Sequence, residues 1–596
     1  MTITAAEEIT LTRSSVDPIT LEVVRCALVA YADEMASALR RTAYNPMIFE
    51  VQDYCVGLVD TEGELIAQNL GGLPIFLADL GVAVADGVKQ YGGIEGFEPG
   101  DALIMNQADV CGQHLNNVVV YTPCFVDGKV FAFLAVRAHW ADIGGARIGF
   151  GSFATSDIYS EGLQFRNIKI LKAGEWNQDI LQIMQDNLRL PESSLGDLRA
   201  AIAACRLGER LIAELAERYS KETIDECITE MRNQSEKLSR HAVSGMKDGE
   251  YFASSWMDND GKNLDKKLPI DVRVVVEGSD LTIDFSNVSE QVDSPMNCGE
   301  SGGIAAARVA FKILSLPTHP VDEGSFRNLH VILPEGKILN AKAPAALGLW
   351  STTLPTVVDT ILAALATAMP SQVPAAHKGD MSGFTFYGSN QRTGSRFVAL
   401  NISGGGWGGR PHEDGPSACV SVCQGDVRNI PIEIQESRYP LVFTKHQLRK
   451  DSGGAGLNRG GLGLEIDVMP QQEIRTNVNN ERTTCPPWGL AGGLPGATNQ
   501  TLISRPGQEV EYAVKSTGLL LEEGSSISFR TAGGGGWGDP LDRAPARVLE
   551  DVLDGLVSHE AARESYGVVI ADGRLDDAAT VALREQQRSS RSHSES

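Results

Sequence analysis

The chain has 596 residues, enough for roughly three or four domains, and its 42% hydrophobic and 22% charged residues are ordinary for a globular protein. Its net charge of −25 argues against nucleic acid or an anionic membrane as partner, because these surfaces are bound through basic patches. The 62 glycines exceed the usual share of about 7% and indicate many tight turns.

Residues 1–17 carry acidic residues and lack an apolar core of signal-peptide length. No apolar run reaches the roughly eighteen residues that a membrane-spanning helix needs. We therefore expect a cytoplasmic protein without a membrane segment. The first predicted element is an amphipathic helix that begins at Asp17 and Pro18 and stops before Asn45 and Pro46.

A first β-hairpin is predicted over 51–69, where VQDYCVGLVD and LIAQN flank a TEGE turn. This hairpin places Asp53 on a strand, where it is either a surface residue or part of a site. An amphipathic helix is expected over 77–90, and a turn over 98–101 leads into the next strands.

The second predicted hairpin is formed by two apolar runs, 118–125 and 130–136. They flank Asp127 and Gly128, a dipeptide strongly favoured in two-residue β-turns. A tight turn at this dipeptide fixes which residues face each other along the whole hairpin.

This register predicts that two histidines meet at the open end of the hairpin. His139 is expected opposite Asn116, and His114 opposite Ala141, so that His114, Asn116 and His139 share one face. The histidines are then diagonal neighbours, roughly 5–8 Å apart. Imidazoles suit zinc, iron or manganese, so the pair is a candidate metal site; surface or hydrogen-bonded histidines are the alternative.

A stable metal site normally needs at least three protein ligands. Asp53, Asp109 and Asp142 are the carboxylates nearest in sequence, and the pattern alone does not choose among them. The glycine-rich segment 144–151 resembles a phosphate-cradling loop, but it lacks GxxxxGK[ST]. We interpret it as a loop close to the metal rather than a nucleotide site.

The rest of the chain changes character along its length. Helices are predicted across 178–247, hairpins and small-residue helices after 249, short strands with glycine-rich turns over 383–529, and short helices from 544. The segments GGGWGG (404–409) and GGGGWGD (533–539) are similar in sequence. We interpret them as tight turns whose tryptophans fill a core. The alternative is a substrate cleft in which the tryptophan rings stack on a ligand.

We therefore predict an α+β fold, mixed, with an N-terminal hairpin-and-helix region and a β-rich, glycine-rich C-terminal region. The predicted regions are a metal-bearing α+β region (1–175), a helical region (176–248), a β-rich α+β region (249–540), a C-terminal helical segment (541–588) and a disordered tail (589–596).

A set of motifs runs in one order across nearly the whole chain. The motifs are GQHLNNVVVYTPCFVDGKV (112–130), RAHWADIGG (137–145), EGLQF (161–165), SLGDLRAAIAACRLG (194–208), GGGWGGRPHEDGP (404–416), DSGGAGLNRGGLG (451–463), ERTTCPPWGLAGGLPG (481–496) and GGGGWGDPLDR (533–543). Together they resemble the hydantoinase B/5-oxoprolinase family. That family includes ATP-dependent hydrolases of hydantoins, 5-oxoproline and other lactams, and subunits of acetone- and acetophenone-type carboxylases.

The resemblance also implies a site. The family pattern His-Leu-Pro-Asp, followed by a second histidine, matches His114 and His139 as ligands of a divalent zinc, manganese or iron ion. Its aspartate aligns with Asn117, a neutral and weaker ligand, which strict strand alternation turns away from His114. Its usual His-His pair is His139 and Trp140 here. Asp53 matches an aspartate expected near the metal, as a third ligand or a general base.

The resemblance implies the B-type subunit of an ATP-dependent enzyme that opens a cyclic amide such as hydantoin or 5-oxoproline. No phosphate-binding motif is recognisable in the sequence, which fits a hetero-oligomer in which a separate A-type subunit binds ATP. Asp53, His114 and His139 are the expected catalytic residues, with a metal polarising the carbonyl or activating water. One alternative is a ketone-carboxylase subunit, which Asn117 and Trp140 favour; the other is a non-catalytic structural subunit.

Overall fold

The computed structural model describes residues 16–148 and 152–594. The segment 1–15, which bears on the signal-peptide prediction, and residues 149–151 of the predicted glycine-rich loop lie outside the described residues. The described residues form helices and mostly antiparallel sheets, which confirms the predicted α+β class. None of the described helices is both long and apolar enough to cross a membrane.

A seven-stranded antiparallel sheet, the first sheet, has the histidine-bearing hairpin at its centre. In spatial order its strands are Leu65–Gln68, Tyr54–Val59, Lys129–His139, Asn117–Val126, Ala102–Met105, Ile168–Lys172 and Glu175–Trp176. Helices Pro18–Thr42 and Pro191–Tyr219 cover one face, and helix Asp79–Gln90 packs on the other. Burial of both faces explains why the hairpin strands are continuously apolar rather than alternating.

The helices largely follow the sequence signals. Asp17 caps the first helix by accepting a hydrogen bond from the Thr20 N–H, as its position predicted, and Arg40 and Arg41 lie in the last turn. The described α-helices are Pro18–Thr42, Pro46–Phe49, Asp79–Gln90, Ala108–Cys111, Gln178–Asn187, Pro191–Tyr219, Lys221–Ser244, Glu300–Ser315, Trp350–Leu365, Ile432–Arg438, Pro545–Leu553, His559–Glu564 and Asp577–Ser594.

The remaining strands form three larger sheets and a small one. In spatial order they are Leu329–Ile332, Asp280–Asp284, Leu268–Glu277 and Gly249–Met257; then Arg396–Ile402, Gly383–Ser389, Ile474–Asn479 and Lys515–Leu521; then Leu441–Leu448, Leu464–Pro470, Ser526–Arg530, Gln500–Ser504 and Glu511–Ala513; and the pair Ile570–Ala571 and Arg574–Leu575. The helix Trp350–Leu365 packs on the first of these sheets. The N-terminal end of this helix reaches the histidine hairpin.

The glycine-tryptophan segments are places where backbones cross at close range. A Cβ on Gly406 would lie 1.9 Å from the Gly461 carbonyl oxygen, and one on Gly535 would lie 2.0 Å from the Trp488 oxygen. Only glycine fits such crossings. Trp407 is half-buried and donates its ring N–H to the Val420 carbonyl at 2.6 Å, so this ring is anchored at the edge of the crossing rather than inside a core.

Residues 589–594 of the predicted disordered tail continue the helix Asp577–Ser594, and residues 595 and 596 lie outside the described residues. Arg588 lies 2.6 Å from an Asp542 carboxylate oxygen and tethers this helix to the preceding turn. The Ser589 hydroxyl donates to the Glu585 backbone carbonyl one turn earlier, at 2.9 Å.

Candidate active site

The hairpin forms as predicted at its turn, but its register changes further along. Asp127 and Gly128 both have positive φ, 50° and 75°, as a tight type I′ turn requires. A β-bulge then shifts the pairing by one residue, with Cys124 and Phe125 on either side of the shift. The extra residue is Phe131, on the strand Lys129–His139, which has no facing partner on the other strand.

The shift changes which residues face each other at the site. His139 lies opposite Asn117, not opposite Asn116 as predicted. Facing residues share a face of the sheet, so Asn117 points to the same side as His139. The expectation that strand alternation turns Asn117 away from the histidines is therefore wrong, and the bulge is the reason.

His114 lies before the strand rather than on it. It belongs to the loop between the helix Ala108–Cys111 and the strand Asn117–Val126. Asn116 holds this loop to the other strand, because its side chain donates to the Trp140 carbonyl at 2.8 Å. The ring nitrogen Nδ1 of His114 lies 3.2 Å from the Gly348 carbonyl oxygen, so a distant segment also fixes the ring.

These elements bring the two histidines together. The ring centroids of His114 and His139 are 5.0 Å apart and the rings are nearly perpendicular, at 84°. Asp53 immediately precedes its strand, and its backbone carbonyl accepts the His139 N–H at 3.1 Å. Asp53, His114, Asn117 and His139 line one cavity. All four predicted site residues therefore border the same space.

The rest of this cavity wall is mainly apolar and comes from several parts of the chain. Phe76, Trp350, Met381 and Ile402 line it, together with the polar side chain of Gln424. The His114 ring meets the Trp350 ring edge-on, with centroids 6.0 Å apart. Single-sequence patterns gave no signal for these residues, because they come from separate elements that meet only in the folded chain.

Burial controls the charge of the site. Desolvation lowers the pKa of His114 to about 4, and it lowers the pKa of His139 well below its usual value, with the neighbouring His114 adding to the effect. Both imidazoles are therefore neutral at pH 7, which is the form that binds metal ions. Desolvation raises the pKa of Asp53 to about 7, while the Arg137 guanidinium opposes this rise.

A buried polar network holds Asn117 in position behind the histidines. Asn117 donates its side-chain N–H to the side-chain amide oxygen of Gln113 at 2.9 Å. Gln113 in turn bonds both Asp79 and Arg137, which form an ion pair at 3.2 Å with both side chains fully buried. Because the amide nitrogen is held by Gln113, the amide oxygen is the atom left for His114, and a hydrogen bond with Asn117 raises the pKa of His114 against desolvation.

The donor set fits a divalent cation in part. Two neutral imidazoles and one amide oxygen lie together, and Asp53 borders the same cavity. No group of three or more His, Cys, Asp and Glu side chains placed to hold a metal occurs within residues 16–148 and 152–594. The residues therefore supply two histidines and an amide. The amide is that of Asn117, which stands where the family pattern has an aspartate.

The other carboxylates considered from the sequence lie elsewhere. Asp142 pairs with Arg189 at 3.1 Å, and Asp109 borders a separate surface cleft. Asp414, in the RPHED segment, binds the Arg543 guanidinium through both carboxylate oxygens, at 2.7 and 2.8 Å. This contact ties the C-terminal segment to the β-rich region and leaves Asp414 outside the cavity.

The fold and the histidine hairpin define the class of protein. The model of the hydantoinase B/oxoprolinase family matches residues 17–540, and the chain belongs to this family. It is 32% identical to caprolactamase subunit beta of Pseudomonas jessenii, over 96% of this chain and 99% of that one.

Solved structures agree with this placement. The crystal structure of the ATP-dependent caprolactamase from Pseudomonas jessenii superposes with a TM-score of 0.88 at 30% identity, covering 96% of this chain and all of that chain. The nucleotide-free structure of acetone carboxylase has the same TM-score, 0.88, at 20% identity, covering 96% of this chain and 83% of that chain. The second likeness shows the shared fold.

Proposed function

We propose that this chain is the B-type subunit of an ATP-dependent enzyme that opens a cyclic amide, a hydantoin, 5-oxoproline or a related lactam. The cavity between His114, His139, Asn117 and Asp53 is where the amide carbonyl reacts. The observation that carries the proposal is the meeting of the two neutral imidazoles, 5.0 Å apart between ring centroids, on the wall of one cavity. The similarity to a caprolactamase subunit over 96% of the chain supports a cyclic amide as substrate.

Each side chain has a separate role in this proposal. His114 and His139 hold a divalent zinc, manganese or iron ion, with the Asn117 amide oxygen beside them. When bound, such an ion supplies a Lewis acid for the carbonyl or lowers the pKa of a water molecule. Asp53 borders the cavity without joining a three-residue donor group, so we assign it the proton transfer rather than ligation. A carboxylate at this position can accept the proton of a water molecule as a general base.

The apolar wall supports an uncharged ring as the reacting part of the substrate. Phe76, Trp350 and Ile402 offer hydrocarbon surface to ring carbons, and they limit the water that reaches the carbonyl. The polar side chains on this cavity are those of Asp53, His114, Asn117, His139, Ser351 and Gln424. We place the amide of the ring toward His114 and His139, the groups assigned to its carbonyl.

The energy source is assigned to a partner. An unstrained lactam is thermodynamically resistant to opening, and coupling to ATP drives the reaction forward. The relative in Pseudomonas jessenii is a subunit by name, and the sequence of this chain has no recognisable phosphate-binding motif. We therefore place ATP on a separate A-type subunit of a hetero-oligomer.

The test is turnover by the chain purified with its A-type partner. Hydantoin, 5-oxoproline and caprolactam are each supplied with ATP, and ring-opened product and ADP are measured together. At least one of these lactams should give both ring-opened product and ADP. His139→Ala should abolish formation of the product. Arg574→Gln, an exposed change on the small C-terminal sheet, should leave product formation unchanged. ATP turnover with acetone or acetophenone plus bicarbonate, and with none of the lactams, would overturn the hydrolase in favour of a carboxylase.

A further inference from the structure

The strand Gly249–Met257 is an open edge of its sheet. It comes last in the strand order, and its backbone pairs with the neighbouring strand Leu268–Glu277. Within the part of the chain that the structure describes, no backbone hydrogen bond joins residues 250–256 to any other segment. An edge strand presents a row of N–H and C=O groups that a further strand can pair with, and natural proteins usually cover or interrupt such an edge.

One face of this strand presents aromatic rings to solvent. The opposite face packs on the helix Trp350–Leu365, where the buried Ser255 hydroxyl contacts the Thr360 hydroxyl. Phe252 and Trp256 are 66% and 46% exposed, and their even spacing places both on the solvent face. Large aromatic side chains are enriched in protein–protein interfaces, so this face has the character of a contact surface.

The edge also lacks the features that usually protect one. Residues 251–257 read YFASSWM and include no charged residue, in a chain of which 22% is charged. The pairing of the nine-residue strand with its neighbour runs without a bulge, so the edge is regular. Because each chain carries a net charge of −25, an uncharged strand is a place where two copies can approach with little repulsion.

An antiparallel second copy of the same strand fits this edge. A twofold axis at Ser254 places residues 251–257 of one copy opposite residues 257–251 of the other. Phe252 of each copy then faces Trp256 of the other on the solvent side. The arrangement forms two aromatic cross-strand pairs, which stabilise antiparallel strands.

The charges at the two ends of the strand favour the same orientation. At its beginning, residues 247–250 include two acids and one lysine, and Glu277 lies beside them at the end of the neighbouring strand. At its other end, residues 265–267 include two exposed lysines and one aspartate, directly before Leu268, which faces Met257. Antiparallel pairing brings the acidic end of one copy next to the lysine end of the other, whereas parallel pairing would bring like charges together.

We propose that the strand Gly249–Met257 binds a second copy of this chain and joins two four-stranded sheets into one eight-stranded sheet about a twofold axis at Ser254. This contact goes beyond the proposed function and does not depend on it. Within a hetero-oligomer it sets two copies of this chain in each complex.

Sedimentation equilibrium of the full chain tests the contact. The wild type should have twice the 63.9 kDa mass of one chain. Phe252→Lys places a charge at both aromatic pairs and should weaken the dimer by about tenfold or more. Tyr512→Lys is the matched control, because Tyr512 is 71% exposed on the edge strand Glu511–Ala513 of another sheet and should leave the dimer unchanged.

A cysteine on the axis tests the register. Ser254→Cys is introduced together with Cys26→Ser, which removes the exposed native cysteine. Facing residues of antiparallel strands have Cα atoms about 4.5–5.5 Å apart, which a disulfide can span. Oxidised glutathione should therefore give a covalent dimer of this variant on a non-reducing gel. Ser504→Cys, an exposed position on the strand Gln500–Ser504, is the control and should stay a single chain on the gel.

The outcomes decide the proposal in either direction. A wild type that sediments as a monomer, or a Phe252→Lys dimer as tight as that of the wild type, overturns it. A monomeric wild type whose complex with the A-type subunit is lost in Phe252→Lys assigns the strand to that subunit and also overturns it. Far-UV circular dichroism checks that each variant is folded. Because these measurements need no ATP or turnover, failure of the proposed function leaves the result readable.

Discussion

Arg137→Met should destabilise the protein through the buried network behind the candidate site. The Arg137 guanidinium and the Asp79 carboxylate are fully buried and 3.2 Å apart. Removing one partner leaves a buried charge without compensation, so we expect a loss of about 3–5 kcal/mol in the free energy of unfolding. The same change removes a donor to Gln113, the residue that holds Asn117.

The loss should depend on pH in a defined direction. Burial raises the pKa of the Asp79 carboxyl to about 6, and Arg137 limits this rise. Without Arg137 the folded-state pKa rises further, while the unfolded chain titrates at about 3.9. The folded variant then binds more protons than the unfolded chain between about pH 6 and 8, so its stability falls as pH rises, by up to about 1.4 kcal/mol per pH unit.

Urea unfolding followed by tryptophan fluorescence at both ends of this pH range measures the effect. The double variant Asp79→Leu with Arg137→Met should recover most of the loss, because neither charge remains. Arg166→Met is the matched control, since its ion pair with Asp86 is at the surface and should be worth about 1 kcal/mol or less. A loss in Arg137→Met no larger than in this control, or no recovery in the double variant, would refute the reasoning.

Two further changes test the cavity itself. Asn117→Asp places a carboxylate beside His114 and His139 and should tighten binding of a divalent ion by roughly tenfold or more in a titration against a chelator; unchanged affinity would contradict the position assigned to Asn117. Asp53→Asn removes the proton acceptor at constant size and should lower kcat for ring opening by roughly 10²–10⁴-fold with metal content retained. Loss of the metal in this variant would make Asp53 a ligand instead.

Local signals in the sequence were sufficient for much of the scaffold. Asp17 and Pro18 marked the start of the first helix, and Asp127 with Gly128 marked the turn that brings the histidines together. Turn chemistry and capping are set by neighbouring residues, so they can be recognised without the fold. The predicted separation of the histidines agrees with the 5.0 Å between their ring centroids.

What the sequence did not reveal depends on contacts between distant segments. The bulge beside Phe125 moves Asn117 onto the histidine side, and a single extra residue has no effect on composition or periodicity that could announce it. Arg137 lies within a strand of apolar residues, and only its buried partner Asp79 explains its presence. Trp350 and Gly348 reach His114 from more than two hundred residues away in the chain.

The metal content of the purified complex tests the central claim most directly. The chain, isolated with its partner subunit and without chelators, is analysed by inductively coupled plasma mass spectrometry, beside His114→Ala and His139→Ala and with Arg574→Gln as control. We predict about one zinc, manganese or iron ion per chain in the wild type and the control, and its loss in both histidine variants. A wild-type complex without stoichiometric metal, or histidine variants that retain it, would contradict the account.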